Sequence, residues 1–192
     1  MAGETQIEKL PTEGLHHITL VGADRQTSID FWEGLLAMPF VFEQPNLDNP
    51  GESHLYFDPG DGRLIAIFTN DAREVDPART STKPGAVHHI AFTVSQSVFD
   101  QIEARLDARG ISHSGRKDRG FTELIYFNDP LGLTIELTYY CFTVPEGHRI
   151  ADMMIAAHCI RVAAGDYNIQ QTHIAKAIEG ITAARDSLSN TT

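Results

Sequence analysis

An internal repeat with a spacing of about seventy residues limits how this chain can fold. The segment GLHHITL at 14–20 recurs as AVHHIAF at 86–92. The segment YFDP at 56–59 recurs as YFNDP at 126–130. Two copies of one pattern predict two modules of similar architecture, because the same order of apolar and turn-forming residues favours the same local structure.

Each copy predicts a strand, a helix and then three further strands. Apolar residues recur at helical spacing in 28–36 and 97–109, and Gly110 is placed to end the second helix. The predicted later strands are 40–44, 54–57 and 63–68 in the first copy, and 111–115, 123–127 and 133–139 in the second. Turn motifs rich in Asp, Asn, Gly and Pro separate the last two strands of each copy. The fold predicted is therefore α+β, with two βαβββ modules.

The predicted organisation has four parts. A first module spans 14–70, a linker 71–86, a second module 87–140, and a helical extension 145–190. The extension predicts a hairpin of two helices, 145–164 and 168–188, which Gly165 separates. An apolar stripe on the second helix needs a covering surface, either on the modules or across a homodimer. That stripe consists of Ile174, Ile178, Ile181 and Leu188.

Charge and composition exclude several classes of protein. The formal net charge is −11, so no surface for nucleic acid or for an anionic membrane is expected. The polar start and the lack of a long apolar run predict a cytoplasmic protein without a membrane span. Two cysteines, Cys141 and Cys159, are too few for a disulfide framework. The 42% hydrophobic content of 192 residues is sufficient for a core.

Three residues form a candidate set of metal ligands. His17 and His89 occupy the same position in the two copies, on strand faces with small or polar neighbours. Glu136 lies on the polar face of the last strand, where an unpaired carboxylate needs a cation. The equivalent position of the first copy is Ala66, so that copy lacks the carboxylate. Two histidines and one carboxylate with open positions suit Fe(II) or a similar divalent ion.

The repeat and its motifs resemble the vicinal oxygen chelate superfamily of glyoxalases, bleomycin resistance proteins and extradiol dioxygenases. Within it, the resemblance is strongest to the hydroquinone-type ring-cleaving dioxygenases. It rests on the following segments: LHHIT at 15–19, HLYF at 54–57, VHHIAF at 87–92, DRGF at 118–121 and IYF at 125–127. The resemblance covers residues 14–140 and leaves out the helical extension.

This resemblance implies a cup formed by paired modules around Fe(II), or alternatively Mn(II), with His17, His89 and Glu136 as ligands. It also implies catalytic roles for His16, Arg119 and Tyr126 around the metal. The reaction implied is the O2-dependent cleavage of a small diphenolic ring. Ala66 departs from the four-ligand pattern of glyoxalase-type isomerases. Strand alternation places His16 on the face opposite His17, so its role requires a bulge or a strand that begins at His17.

Other functions remain open at this point. A metal-dependent lyase, epimerase or thiol transferase of the same superfamily could use the same three ligands. A metal-free small-molecule binding or resistance protein is a further alternative. The other five histidines have no counterpart in the repeat and are interpreted as structural or exposed: His54, His113, His148, His158 and His173. The substrate, the choice of metal and exchange of modules between chains stay open.

Overall fold

The computed structural model describes residues 11–75 and 81–189, with side chains described as far as 183. Residues 76–80 of the predicted linker, residue 190 of the predicted extension and the side chain of Leu188 lie outside this description. The described residues divide into two compact units. One takes in 11–75 with Asp129–Gly132, and the other takes in 81–128 and 133–189.

The first unit contains one βαβββ module. Its elements are β1 (His17–Val21), α1 (Arg25–Trp32), β2 (Phe40–Pro45), β3 (Ser53–Phe57) and β4 (Leu64–Thr69). The strand order in the sheet is β1-β4-β3-β2. The first strand runs parallel to β4, and the remaining pairs are antiparallel.

Alternation along the strands divides this sheet into two faces. Leu55 and Phe57 of β3 are fully buried, and Trp32 of α1 lies over Phe57 with ring centroids 6.5 Å apart. The helix therefore covers the apolar face. His54 and Tyr56 alternate with these residues, so the opposite face carries the polar side chains.

The helix α1 begins at a well-defined cap and ends earlier than its apolar pattern predicts. The carboxylate of Asp24 accepts hydrogen bonds from the backbone N–H and the hydroxyl of Thr27, at 2.9 and 2.7 Å. The predicted end at Leu36 is wrong, because regular helix stops at Trp32. Beyond it, the N–H of Leu36 bonds the carbonyl of Phe31, five residues back, and the chain turns away at a positive φ.

The second unit repeats the architecture of the first. It contains β5 (Ile90–Thr93), α2 (Gln96–Ala108), β6 (Lys117–Asp118), β7 (Thr122–Asn128) and β8 (Thr134–Tyr140). The order β5-β8-β7-β6, with β5 parallel to β8, matches the first sheet strand for strand. The predicted α+β fold with two βαβββ modules is confirmed.

One predicted strand of the second module is wrong. Residues 111–115 contain only an isolated bridge between His113 and Phe127, and the edge strand β6 forms later. Gly115 has a φ of +68°, which interrupts extended backbone. The hydroxyl of Ser114 accepts a hydrogen bond from the N–H of Tyr126 at 3.1 Å, in place of a ladder carbonyl.

The helical extension is part of the second unit. Its helices are α3 (Ile150–Ala164) and α4 (Gln171–Ser189), and Gly165 ends α3 in the left-handed conformation. Phe121, just before β7, and Phe142, just after β8, pack against the buried cluster of this hairpin. That cluster consists of Met153, Ala157, Ile174 and Ala177. The predicted helical extension is confirmed.

Candidate metal centre

The second module brings two of the three predicted ligands together. Glu136 of β8 pairs across the sheet with Tyr126 of β7 on one side and Ala91 of β5 on the other. His89 immediately precedes β5, and its Nε2 lies 3.2 Å from the Oε2 of Glu136. Only 8% of Glu136 is exposed. A carboxylate with so little access to water requires hydrogen bonds and a cation.

Tyr126 is the neighbour of this carboxylate on β7. It pairs with Glu136 across the sheet, and its ring meets that of His89 edge to face at 5.7 Å. Burial raises the pKa of Tyr126, and the nearby carboxylate of Glu136 raises it further, against a smaller lowering by Arg119. Tyr126 is therefore a neutral phenol at physiological pH, able to donate but not to neutralise Glu136.

Both predicted histidine ligands are held by the histidine that precedes them. The Nδ1 atoms of His88 and His89 are 2.8 Å apart, and those of His16 and His17 are also 2.8 Å apart. The strand β1 begins at His17, so strict alternation does not apply to His16, and the two rings meet. A hydrogen bond at one ring nitrogen fixes the orientation and tautomer with which the other nitrogen can bind a metal.

In the first module, alanine occupies the position equivalent to Glu136. Tyr56 of β3 pairs with Ala66 of β4 in the register in which Tyr126 pairs with Glu136. Thr19 of β1 is the neighbour of Ala66 on the other side. The position where the second module has a carboxylate therefore carries a methyl group here.

His54, interpreted from the sequence as structural or exposed, lies on this same face of the first module. Its Nδ1 shares a hydrogen bond of 2.8 Å with the hydroxyl of Tyr56, and its ring lies 4.3 Å from that of Phe68. Burial lowers the pKa of His54, and the charge of His17 lowers it further. Its Nε2 is buried without a hydrogen-bond partner among the described residues. The alternation in HLYF places His54 on the same strand face as Tyr56. Its position near His17 was not predicted, because His54 has no counterpart in the repeat.

The donor set fits a divalent metal. Imidazole nitrogens with one carboxylate suit Fe(II) and Mn(II), and the buried Glu136 beside a neutral Tyr126 calls for positive charge. Among residues 11–75 and 81–189, no three His, Cys, Asp or Glu side chains are close enough together to hold one ion. Joint ligation by His17, His89 and Glu136 therefore stays a prediction, since His17 belongs to the other unit.

Arg119, the third predicted catalytic residue, lies between β6 and β7. Its side chain is exposed, and its charge acts on Tyr126. Its backbone N–H donates to the carbonyl of Thr122 at 2.9 Å, which closes the turn between the two strands. The structure thus brings Arg119, Tyr126, His89 and Glu136 into one neighbourhood of the second module.

The structure thus contains two βαβββ modules, with His17 at the start of β1, His89 immediately before β5 and Glu136 on β8. Residues 14–137 match the family described as the Glyoxalase/Bleomycin resistance protein/Dioxygenase superfamily, which is more than half of the chain. The chain belongs to this superfamily. The match ends before α3, so the helical extension lies outside it.

Two relatives of known sequence carry different activities in their names. "Putative ring-cleaving dioxygenase MhqO" of Bacillus subtilis (strain 168) is 29% identical over 130 residues, which are 66% of this chain and 40% of that protein. Glutathione transferase FosA of Serratia marcescens is 28% identical over 125 residues, 65% of this chain and 79% of FosA. The chain thus spans well under half the length of the MhqO protein.

Solved structures show the same fold. A crystal structure named "putative dioxygenase" from Bacillus subtilis subsp. subtilis str. 168 superposes with a TM-score of 0.55 at 29% identity, over 66% of this chain and 40% of that one. The fosfomycin resistance protein FosX of Listeria monocytogenes, crystallised with Mn(II), superposes with a TM-score of 0.52 at 23% identity. The match covers 70% of this chain and 97% of FosX. At that identity, FosX supports the fold alone. No helix among the described residues is long and apolar enough to cross a membrane.

Proposed function

We propose that this chain is a metal-dependent dioxygenase that cleaves a diphenolic ring with O2. The metal is Fe(II), or alternatively Mn(II), bound by His17, His89 and Glu136. The observation that carries the proposal is the asymmetry between the modules. Tyr126 faces Glu136, whereas Tyr56 faces Ala66. One carboxylate instead of two leaves coordination positions for a substrate and for O2.

The chain's own residues prepare this site for a diphenol. A bound divalent ion supplies Lewis acidity that favours the ionised diphenol, together with a redox centre for O2. Tyr126 is kept protonated and can donate a hydrogen bond to an oxygen placed near Glu136. Arg119 adds positive charge on the same side, which stabilises an oxyanion. His16 holds His17 in position and is the candidate acid–base for the hydroxyl proton.

The comparisons give this proposal partial support. Three relatives, all from Bacillus subtilis, carry ring-cleaving dioxygenase in their names. The matches cover 54% to 67% of this chain and 41% or less of each relative. The activity in their names is therefore only proposed for this chain.

A second candidate is a metal-dependent thiol transferase. The observation that favours it is the similarity to FosA, which extends over 79% of that enzyme's length. Lyases and epimerases of the superfamily belong to the same alternative, because the two histidines and the glutamate serve either chemistry. A reaction that proceeds without O2 separates this alternative from the proposed one.

Oxygen uptake by the Fe(II)-loaded protein tests the proposed function. We expect near-equal consumption of O2 and of a catechol or hydroquinone. Tyr126→Phe should reduce turnover about tenfold to a hundredfold while metal content stays close to wild type, because Tyr126 contacts a ligand rather than serving as one. The matched control is Tyr139→Phe, which removes a hydroxyl beside Glu123 on the opposite face of the same sheet.

The alternative predicts the reverse pattern. Turnover of glutathione with an epoxide in the absence of O2 uptake, with no effect of Tyr126→Phe, would contradict the dioxygenase proposal. Equal losses of turnover in Tyr126→Phe and Tyr139→Phe would mean that the substitutions act through the stability of the sheet.

A further inference from the structure

An open cleft of about 720 Å³ lies in the second unit, between the turn that precedes β7 and the connection from α3 to α4. Its volume is within the range of small-molecule binding sites. One wall comprises residues 118–122 with Leu124, and the other comprises Tyr167, Asn168 and Ile169. The helical extension thus forms one side of a cleft, although no sequence motif links the extension to a function.

The first wall shares strand β7 with the candidate metal centre. Leu124 lies two residues before Tyr126 on β7, so both side chains are on the face that carries Glu136. Arg119 lines the cleft, and its charge acts on Tyr126. A ligand in this cleft therefore lies beside the residues to which we assign the chemistry.

The second wall is held in place by hydrogen bonds of the connection itself. Arg161 donates to the carbonyls of Asp166 and Tyr167, at 2.7 and 3.0 Å. His173 is buried and bonds the carboxylate of Asp166 at 2.8 Å. Its Nδ1 accepts the N–H of Gln170 at 3.0 Å. The connection is thus fixed at both ends of its turn.

The two walls approach each other closely at Gly120. A Cβ on Gly120 would lie 3.1 Å from the carbonyl oxygen of Ile169 and 3.4 Å from the Cα of Gln170. Gly120 also has a φ of +86°. Glycine therefore permits the contact that sets the position of the connection against the Arg119 turn.

Tyr167 is 97% exposed although the backbone around it is anchored. A tyrosine has an apolar ring and a polar tip, and such residues are suited to contact a ligand that is partly apolar. Leu124, Phe121 and Ile169 supply apolar surface in the same cleft, and Arg119 supplies a cation. This combination suits an aromatic ring with hydroxyl or other acidic substituents.

We infer that the connection between α3 and α4 is a wall of the substrate cleft, and that Tyr167 contacts the ring substituent of the diphenol. Tyr167 is then a specificity-determining residue provided by the helical extension. This inference rests on the proposed function for the identity of the ligand. The cleft itself lies within one unit and depends on neither the metal nor O2.

Binding of 4-nitrocatechol, a coloured diphenol, tests the inference. The dissociation constant is measured by difference absorbance on the whole chain with O2 excluded. We expect Tyr167→Ala to weaken binding about five- to tenfold, because a ring contact is lost. Tyr167→Phe, which keeps the ring, and Val162→Ala, an exposed residue of the same hairpin, should bind as wild type does.

An unchanged dissociation constant in Tyr167→Ala, or no binding of 4-nitrocatechol by the wild type, would overturn the inference. The two proposals fail separately. Binding that depends on Tyr167 without O2 uptake with any diphenol would retain the cleft and refute the dioxygenase. O2 uptake with an unchanged KM in Tyr167→Ala would retain the dioxygenase and refute the role of Tyr167.

Discussion

At the scale of single residues, the chemistry of the second module centres on a buried carboxylate. Glu136 has His89 at 3.2 Å and Tyr126 as its partner on the neighbouring strand. Neither partner is a permanent cation, and a metal ion would provide the missing charge. The adjacent histidine pairs, at 2.8 Å in both modules, orient each predicted nitrogen ligand in the same way.

Asp24 provides a residue-scale prediction about stability and pH. Hydrogen bonds from the backbone and side chain of Thr27 lower the pKa of Asp24 below its ordinary value of 3.8. Asp24→Ala should lower the free energy of unfolding by about 1 kcal/mol at neutral pH. The difference between the two proteins is fully present above pH 3.8 and should narrow as pH falls through the lowered pKa.

Urea unfolding of both proteins over this pH range measures that difference. Asp30→Ala, at an exposed position of the same helix, is the control for loss of a carboxylate. A difference between wild type and Asp24→Ala that stays constant from neutral pH to well below 3.8 would mean that the charged form of Asp24 does not stabilise the helix.

At the scale of elements, the repeat predicted the topology of both sheets. Local backbone conformation caused the errors in the bounds of individual elements. Both βαβββ modules were predictable because apolar periodicity and turn residues recur at the same spacing in each copy. The predicted strand at 111–115 failed because Gly115 takes a positive φ and Ser114 replaces a ladder bond. Neither effect changes the alternation of residue types, so the pattern alone could not reveal it.

The candidate site was also predictable only in part. Repeat position and strand face identified His89 and Glu136, and the family resemblance identified Tyr126; the structure brings these three residues together. His54 and Tyr167 were not identified, because their relevance depends on contacts with residues distant in the sequence. Periodicity reports which face a residue occupies and carries no information on such tertiary contacts.

The packing of the helical hairpin gives an element-scale prediction. Met153 of α3 is fully buried in the hairpin cluster, whereas Ile155, two residues later, is 63% exposed. Met153→Ala should lower the free energy of unfolding by about 2–5 kcal/mol. Ile155→Ala should change it by less than about 0.5 kcal/mol. Equal changes in the free energy of unfolding, measured by chemical denaturation, would show that Met153 is not buried in the hairpin cluster as described.

At the scale of the whole molecule, two modules of one superfamily fold are followed by a helical extension outside the family match. A net charge of −11 disfavours nucleic acid as a partner and is compatible with a small-molecule enzyme. A homodimer and a cytoplasmic location remain predictions from the sequence. We propose that one metal ion takes its ligands from both modules, His17 from the first and His89 with Glu136 from the second.

Metal content per chain, measured by elemental analysis of the purified protein, tests this claim most directly. The wild type should hold about one Fe or Mn, and His17→Ala, His89→Ala and Glu136→Ala should each lose most of it while remaining folded by circular dichroism. Glu123→Ala, on the opposite face of β7, should keep the metal. A fully metallated Glu136→Ala or His17→Ala protein would contradict the account.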